Sequence, residues 1–223
     1  MHAVSDAAAT VLAARRARER DIVNATRAVF DERGIQDAPI EEIAREVGIN
    51  KALIYRHFVS KEELFVATVT IYLDELAERL REVDLELDHV GRLRDGWGRY
   101  ADFCLEYPAF LDCALSLMRR PVDDLRARVS DAIWLRLIEA MAACIGPLAA
   151  ILAAGAKDGV LDVDDPVFVA NRLYAQTLGT MHLARTGAGV QGGGDVAPTT
   201  LEIDPRRVRD ACVADALAAV GVR

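Results

Sequence analysis

The chain has 223 residues, 52% of them apolar, and a net charge of −8. That length allows one large or two small domains with a sizeable core. The acidic balance argues against diffuse nucleic-acid affinity, and no run approaches the ~18 apolar residues of a membrane span. The weak apolar run 7–14 is followed by basic residues instead of preceded by them, which is not a secretory pattern, so a cytoplasmic protein without membrane contact is expected. Cys104, Cys113, Cys144 and Cys212 are widely separated and show no metal-ligand spacing. In a reducing compartment they are expected to pack as small hydrophobes, with no metal and no cofactor.

Residues 1–14 are small and uncommitted, and a flexible tail is expected there. A helix opens at Arg15, carries Ile22, Thr26, Val29 and Phe30 at helical spacing, and ends at Gly34. Pro39 starts a second helix at its first position. Ile40, Ile43, Ala44 and Val47 form its apolar stripe, and Gly48 stops it. Asn50 is placed to cap a third helix over 51–57, because its side chain can accept an exposed backbone N–H. Ser60-Lys61-Glu62-Glu63 is a capping box that opens a long fourth helix to about residue 83. Further helices are expected near 89–106, 108–118, 121–145, 147–157, 165–186 and 205–220. Asp165-Pro166 and Asp204-Pro205 each join a cap to a proline at the first helical position. Residues 187–200 are glycine-rich and are expected to form a mobile loop. Residues 187–192 spell G-x-G-x-x-G, but they follow a helix and run into more glycine, so the strand and helix of a nucleotide-binding fingerprint are missing. No strand-like alternation reaches five residues, and the expected fold class is all-α.

The segment 40–65 is the spelling of a helix-turn-helix, in which the second helix lies in the major groove and the first braces it. Gly48 with Ile49 suits the turn. Ile43, Ala44, Val47, Ile54 and Phe58 suit the buried face that locks the unit. The exposed face is left to Lys51, Ala52, Leu53, Tyr55, Arg56 and His57. Asn50 or Lys51 sits at a positive helix end, where phosphate binds well. Lys51 and Arg56 can donate to guanine acceptors, while Ala52 and Leu53 can meet a thymine methyl. Tyr55, His57 and Lys61 read as phosphate contacts, and Arg18 with its neighbouring arginines can reach the backbone or minor groove. Charge supports a localised reader: residues 15–65 hold ten basic and ten acidic side chains, whereas 66–223 hold 17 basic and 24 acidic. The expected partner is double-stranded DNA. The rival is an all-helical interaction protein whose helix-turn-helix is only a scaffold, which would show no sequence-selective DNA binding and no salt slope.

Residues 48–65, GINKALIYRHFVSKEELF, resemble the recognition-helix signature of the TetR family of transcriptional regulators. Gly48, Ile49, Tyr55, His57, Phe58, Ser60, Lys61, Glu62 and Leu64 match its pattern. The likeness covers about residues 17–65. Ala52 and Leu53 replace a common glycine and threonine, Val59 replaces a frequent proline, and Pro39 stands where a capping threonine is usual, so that Ala38 or Asp37 must cap. The resemblance implies three parts: the tail 1–14, a helix-turn-helix domain over 15–65 (the motif at about 40–59), and a ligand-binding and dimerisation domain over 66–223. It also implies a homodimer on a palindromic operator, most often a repressor, that is released by a small apolar effector.

In the C-terminal part, Trp97, Tyr100, Phe103, Tyr107, Phe110, Met118, Trp134, Ile138, Met141 and Tyr174 are candidates for an apolar pocket. Any one of them can equally belong to an ordinary bundle core. Tyr174, Leu178, Met181 and His182 form a stripe suited to a dimer interface made by helices 165–186 and 205–220. The same stripe can instead pack inside its own subunit. No nucleophile elbow, P-loop, HExxH or EF-hand pattern is present, so no catalytic residue is expected.

Overall fold

The computed structural model describes residues 2–34, 39–193 and 196–221. Among them are ten helices and one hairpin: α1 (His2–Arg33), α2 (Ile40–Glu46), α3 (Lys51–His57), α4 (Lys61–Arg81), α5 (His89–Glu106), α6 (Pro108–Met118), α7 (Val122–Arg126), α8 (Asp131–Lys157), α9 (Pro166–Thr186), β1 (Ala188–Gly193), β2 (Val196–Glu202) and α10 (Pro205–Ala218). The chain divides into two compact units, Met1–Ile71 with Ser116–Leu137, and Tyr72–Leu115 with Ile138–Arg223. The expected boundary was a single cut after residue 65. Instead α4 continues across the first division, and the segment 116–137 returns to the N-terminal unit.

In the first unit, α1 begins at His2, well before the expected start at Arg15. Ile22, Val23, Val29 and Phe30 of α1 are buried, as are Ile40, Ile43 and Ala44 of α2 and Ile54 of α3. Phe30 meets Phe65 with ring centroids 6.2 Å apart. Gly34 ends α1 at φ +80, a left-handed conformation that costs a Cβ-bearing residue energy. The expected cap of α2 at Asp37 or Ala38 lies outside the described residues, and Pro39 occupies the N-cap position with no side-chain cap bond. The capping box at α4 forms: Ser60 Oγ accepts the Glu63 N–H at 2.9 Å, and Glu63 Oε2 accepts the Val59 N–H.

Residues 121–145 do not make the single helix expected. α7 ends at Arg126, and the turn that follows is tied to the start of α4. Ser60 Oγ donates to the Arg128 carbonyl at 2.6 Å, and the buried Glu63 accepts from both the Ser130 N–H (3.1 Å) and its hydroxyl. These bonds hold the backbone of 128–130 outside a helical ladder, and Asp131 restarts the chain as α8. The expected stop at Pro147 does not occur either, since α8 runs through it. Proline in a helix interior costs roughly 3 kcal/mol. The burial of Cys144, Leu148 and Leu152 on either side offsets that cost. The expectation that no stretch has the length and apolarity of a membrane span is corrected in α8. An 18-residue window in it has a mean hydropathy of 2.0 with 33% buried, which is long and apolar enough to cross a membrane.

In the second unit α5, α9 and α10 pack against one another. Trp97, Tyr100, Phe103 and Phe110 are fully buried. The Trp97 indole donates to Thr177 Oγ1 at 3.1 Å, so its one polar atom is satisfied. All four cysteines are buried thiols outside any disulfide. Burial raises the Cys144 thiol to about 12 and the Cys212 thiol to about 11. The glycine-rich stretch is not the expected loop but an antiparallel β1–β2 hairpin, with Ala188 opposite Glu202 and Gln191 opposite Thr199. Gly192 takes φ +148 beside the irregularity in the ladder, a conformation open to glycine. With so few side chains on β1 there was no alternation to read.

Candidate nucleic-acid interface

The turn of the helix-turn-helix is built by the backbone. Gly48 stands at φ +71, its N–H donates to the Arg45 carbonyl at 3.0 Å, and the Ile49 N–H returns to the Ala44 carbonyl at 2.8 Å. Asn50 then caps α3: its Oδ1 accepts the Leu53 N–H at 2.8 Å. A cap of this kind contributes about 1 kcal/mol. Ile54 and Phe58 are buried from the α3 side, and Ile43 and Ala44 from the α2 side, which fixes α3 against its brace. Val47, expected in the same face, is half-buried.

The outer face of α3 carries Lys51, Ala52, Tyr55 and Arg56, all exposed. They lie at positions i, i+1, i+4 and i+5, one side of a helix. The two cations differ in state. Lys51 Nζ lies 2.6 Å from Glu41 Oε1 of α2. That hydrogen bond holds the Glu41 carboxyl below its ordinary range and lifts Lys51 above its own. No ion pair engages Arg56 among the described residues, so its guanidinium is open to a partner. Arg18 is exposed on α1, 3.9 Å from Asp21, and Lys61 is exposed in the first turn of α4.

Three expected contacts fall elsewhere. Leu53 is half-buried. Asn50 has its oxygen occupied by the cap, leaving its NH₂ to meet a ligand. His57 turns inward, its side chain 13% exposed and its Nδ1 3.4 Å from Glu19 Oε1 of α1, so it braces α3 instead of facing outward. Sequence reasoning missed two groups. Glu41 has no role in the motif's spelling, because nothing in the letters places it beside a residue ten positions on. Arg45 is 77% exposed on α2 with Glu42 no nearer than 3.9 Å, and its position on the outer side of the brace was the available signal.

The ten expected pocket residues are not brought together as one lining. Tyr100 stacks on Tyr174 at 5.5 Å, and Phe103 packs on Tyr107 at 4.7 Å and on Phe110 at 5.0 Å. These rings cover one another, which is the behaviour of a core. The Tyr107 hydroxyl donates to Glu75 at 2.6 Å, and chiefly for that reason its pKa rises to about 12. Met118 and Ile138 are exposed, while Trp134 and Met141 are half-buried. Met118 and Trp134 belong to the first unit, where Trp134 lies under the Arg126 guanidinium at 5.8 Å.

The expected dimer stripe is also corrected. Leu178 and Met181 are fully buried, and Tyr174 is stacked under Tyr100, so these three face their own unit. His182 alone of the four is exposed. The solvent face of α9 is formed by Phe168 (62% exposed), Gly179, His182 and Leu183 (44%). α9 has apolar residues on both sides, so periodicity could not choose between them.

A model of the family described as "Bacterial regulatory proteins, tetR family" matches residues 22–68, which hold α2, α3 and most of the α1 and α4 contacts above. The chain is similar to the HTH-type transcriptional activator FasR of Mycolicibacterium smegmatis, 33% identical over 87 residues, covering 39% of this chain and 40% of that one. It is similar to the HTH-type transcriptional regulator BetI 2 of Chromohalobacter salexigens, 32% identical over 85 residues, covering 35% and 41%. The chain thus spans about two fifths of the length of these relatives. Among solved structures, RolR in complex with the ligand resorcinol superposes with a TM-score of 0.66 at 16% identity, covering 95% of this chain and 91% of that one. PfmR from Thermus thermophilus gives 0.59 at 21% identity, covering 88% and 97%. At such identities these two establish the shared fold. Signature, head geometry and fold converge: residues 22–68 match the TetR family of bacterial regulatory proteins, and the chain as a whole shares the fold of the two solved structures.

Proposed function

We propose that the protein is a DNA-binding transcriptional regulator that works as a homodimer, inserts α3 into the major groove of a palindromic operator, and acts as a repressor relieved by a small ligand. The observation that carries this reading is the outer face of α3. Lys51, Ala52, Tyr55 and Arg56 are exposed on a helix whose other side is locked by Ile54 and whose first turn is capped by Asn50. A rigid helix presenting two cations, an aromatic hydroxyl and a methyl group suits phosphate positioning and base reading together. Two copies on a two-fold axis place their α3 helices about one DNA turn apart. The face of α9 with Phe168, Gly179, His182 and Leu183 is the surface we assign to the second copy.

The effector is assigned to the second unit. A cavity of about 390 Å³ there is lined by Cys104, Leu105, Pro108, Leu111 and Met181, with Arg185 and Arg206 at its edge. RolR holds resorcinol, and a single aromatic ring is compatible with this volume. Release of DNA then requires that the ligand favour one dimer geometry over the other.

Selection of bound sequences from random DNA, followed by salt-titrated binding to the selected site, tests the reading. Lys51→Ala and Arg56→Ala are expected to weaken binding to that site. Unchanged affinity in both removes α3 as the reading element. A reporter placed behind the selected site decides the sign: expression rises on loss of a repressor and falls on loss of an activator, the role in FasR's name.

A further inference from the structure

A separate cavity of about 310 Å³ lies entirely within the first unit. Its floor is apolar and comes from three helices: Phe30 of α1, Ile40 and Ile43 of α2, and Leu64 and Phe65 of α4. Of the two hydroxyl residues in the lining, Thr26 Oγ1 already donates to the Ile22 carbonyl at 2.8 Å, and Ser116 of α6 stands in the wall with the charged rim. The rim is charged, with Lys61, Glu62 and Arg120. A second hollow of about 280 Å³ shares Glu62 and Arg120 in its wall and adds Arg119, Arg128 and Asp124. The two hollows together are bordered by four cations and two carboxylates, an excess of two positive charges on a chain whose net charge is −8.

Those cations are weakly held. Glu62 is shared between Arg120 at 3.9 Å and Arg128 at 3.6 Å, both long for an ion pair and neither bidentate. The Arg120 guanidinium stands 5.9 Å from the centroid of the Phe65 ring, where the charged rim meets the apolar floor. An anionic group with two acceptor oxygens would offer these guanidiniums shorter, charge-assisted bonds than Glu62 does. An inorganic anion would leave the floor empty, and a neutral apolar molecule would leave the rim unused.

We infer that this cavity binds a small organic carboxylate, an aromatic or short-chain aliphatic acid. Its apolar body lies on Phe30, Ile43 and Phe65, and its carboxylate lies on Arg120 and Arg128. The volume is at the lower end for small-molecule sites, which suits a single ring or a short chain. The site is distinct from the effector cavity of the second unit and stands whether or not α3 reads DNA. Its walls come from α1, α2 and α4 with Ser116 of α6 and the Arg120 that follows it, so an occupant bridges the brace helix to its neighbours and bears on the position of α3.

The test is a titration of the full-length protein, labelled at isoleucine and leucine methyls, with hexanoate and benzoate, and in parallel with 1-hexanol, benzyl alcohol and inorganic phosphate. Saturable shifts at Ile40, Ile43 and Leu64 with the two carboxylates are expected, with the alcohols and phosphate binding at least about tenfold more weakly. Replacing Arg120→Gln and Arg128→Gln together, both exposed and so compatible with the fold, is expected to weaken hexanoate about tenfold and leave 1-hexanol unchanged. The proposal is overturned by shifts confined to methyls outside the cavity, by equal binding of acid and alcohol, or by an unaltered hexanoate affinity in the double variant.

Discussion

Helices α3 and α9 turn opposite kinds of side chain to solvent. α3 is seven residues long, buries Ile54, and shows the outside two cations and a tyrosine. α9 is 21 residues long, buries Leu173, Leu178 and Met181, and still shows Phe168 and Leu183. A short helix with one apolar side has a single way to pack, so most of its exposed residues can be named in advance. A helix with two apolar sides must use one for its own core and keep the other for something else, and the choice depends on α5 and α10.

The largest effect that would break this contrast is on the buried side of α9. Leu178→Ala is expected to lower unfolding free energy by about 2–5 kcal/mol in urea titration. If Leu178 instead served a contact between copies, the loss would depend on protein concentration. On α3, Arg56→Ala is expected to cost about 1–3 kcal/mol of affinity for the selected DNA site at fixed salt, with the urea midpoint unmoved. A midpoint that falls with affinity would make Arg56 a structural residue and erase the distinction. Glu41→Gln tests the clamp on Lys51. Freed of its carboxylate, Lys51 is expected to raise affinity for random DNA severalfold and to make the log-affinity against log-salt slope more negative by about one unit. No change would mean that phosphate already displaces Glu41 at no cost. The smallest stability effect is on the outer side of α9. Leu183→Lys is expected to leave monomer stability within about 0.5 kcal/mol while shifting sedimentation toward the monomer. A dimer that withstands it places the two-fold contact elsewhere.

Local chemistry made most of the fold legible. Asn50, Ser60, Asp165 and Asp204 marked four helix starts that the structure reproduces, because a cap is written in two or three adjacent residues. What could not be read depended on distant partners. The break at 127–130 is made by Ser60 and Glu63, more than sixty residues away. The hairpin was hidden because glycine carries no pattern. The outward set Lys51, Ala52, Tyr55 and Arg56 was legible from the motif, but the inward turn of His57 was not, since it depends on Glu19 of α1.

Pro147 has a consequence for how α8 comes apart. It has no N–H, so the Ala143 carbonyl lacks the donor that every neighbouring carbonyl in the ladder receives. The helix is continuous in shape and interrupted in cooperativity. Under native-state hydrogen exchange, the amides before and after this point are expected to open as two blocks with separate protection, which makes 143–147 the seam along which local unfolding divides this 27-residue apolar helix.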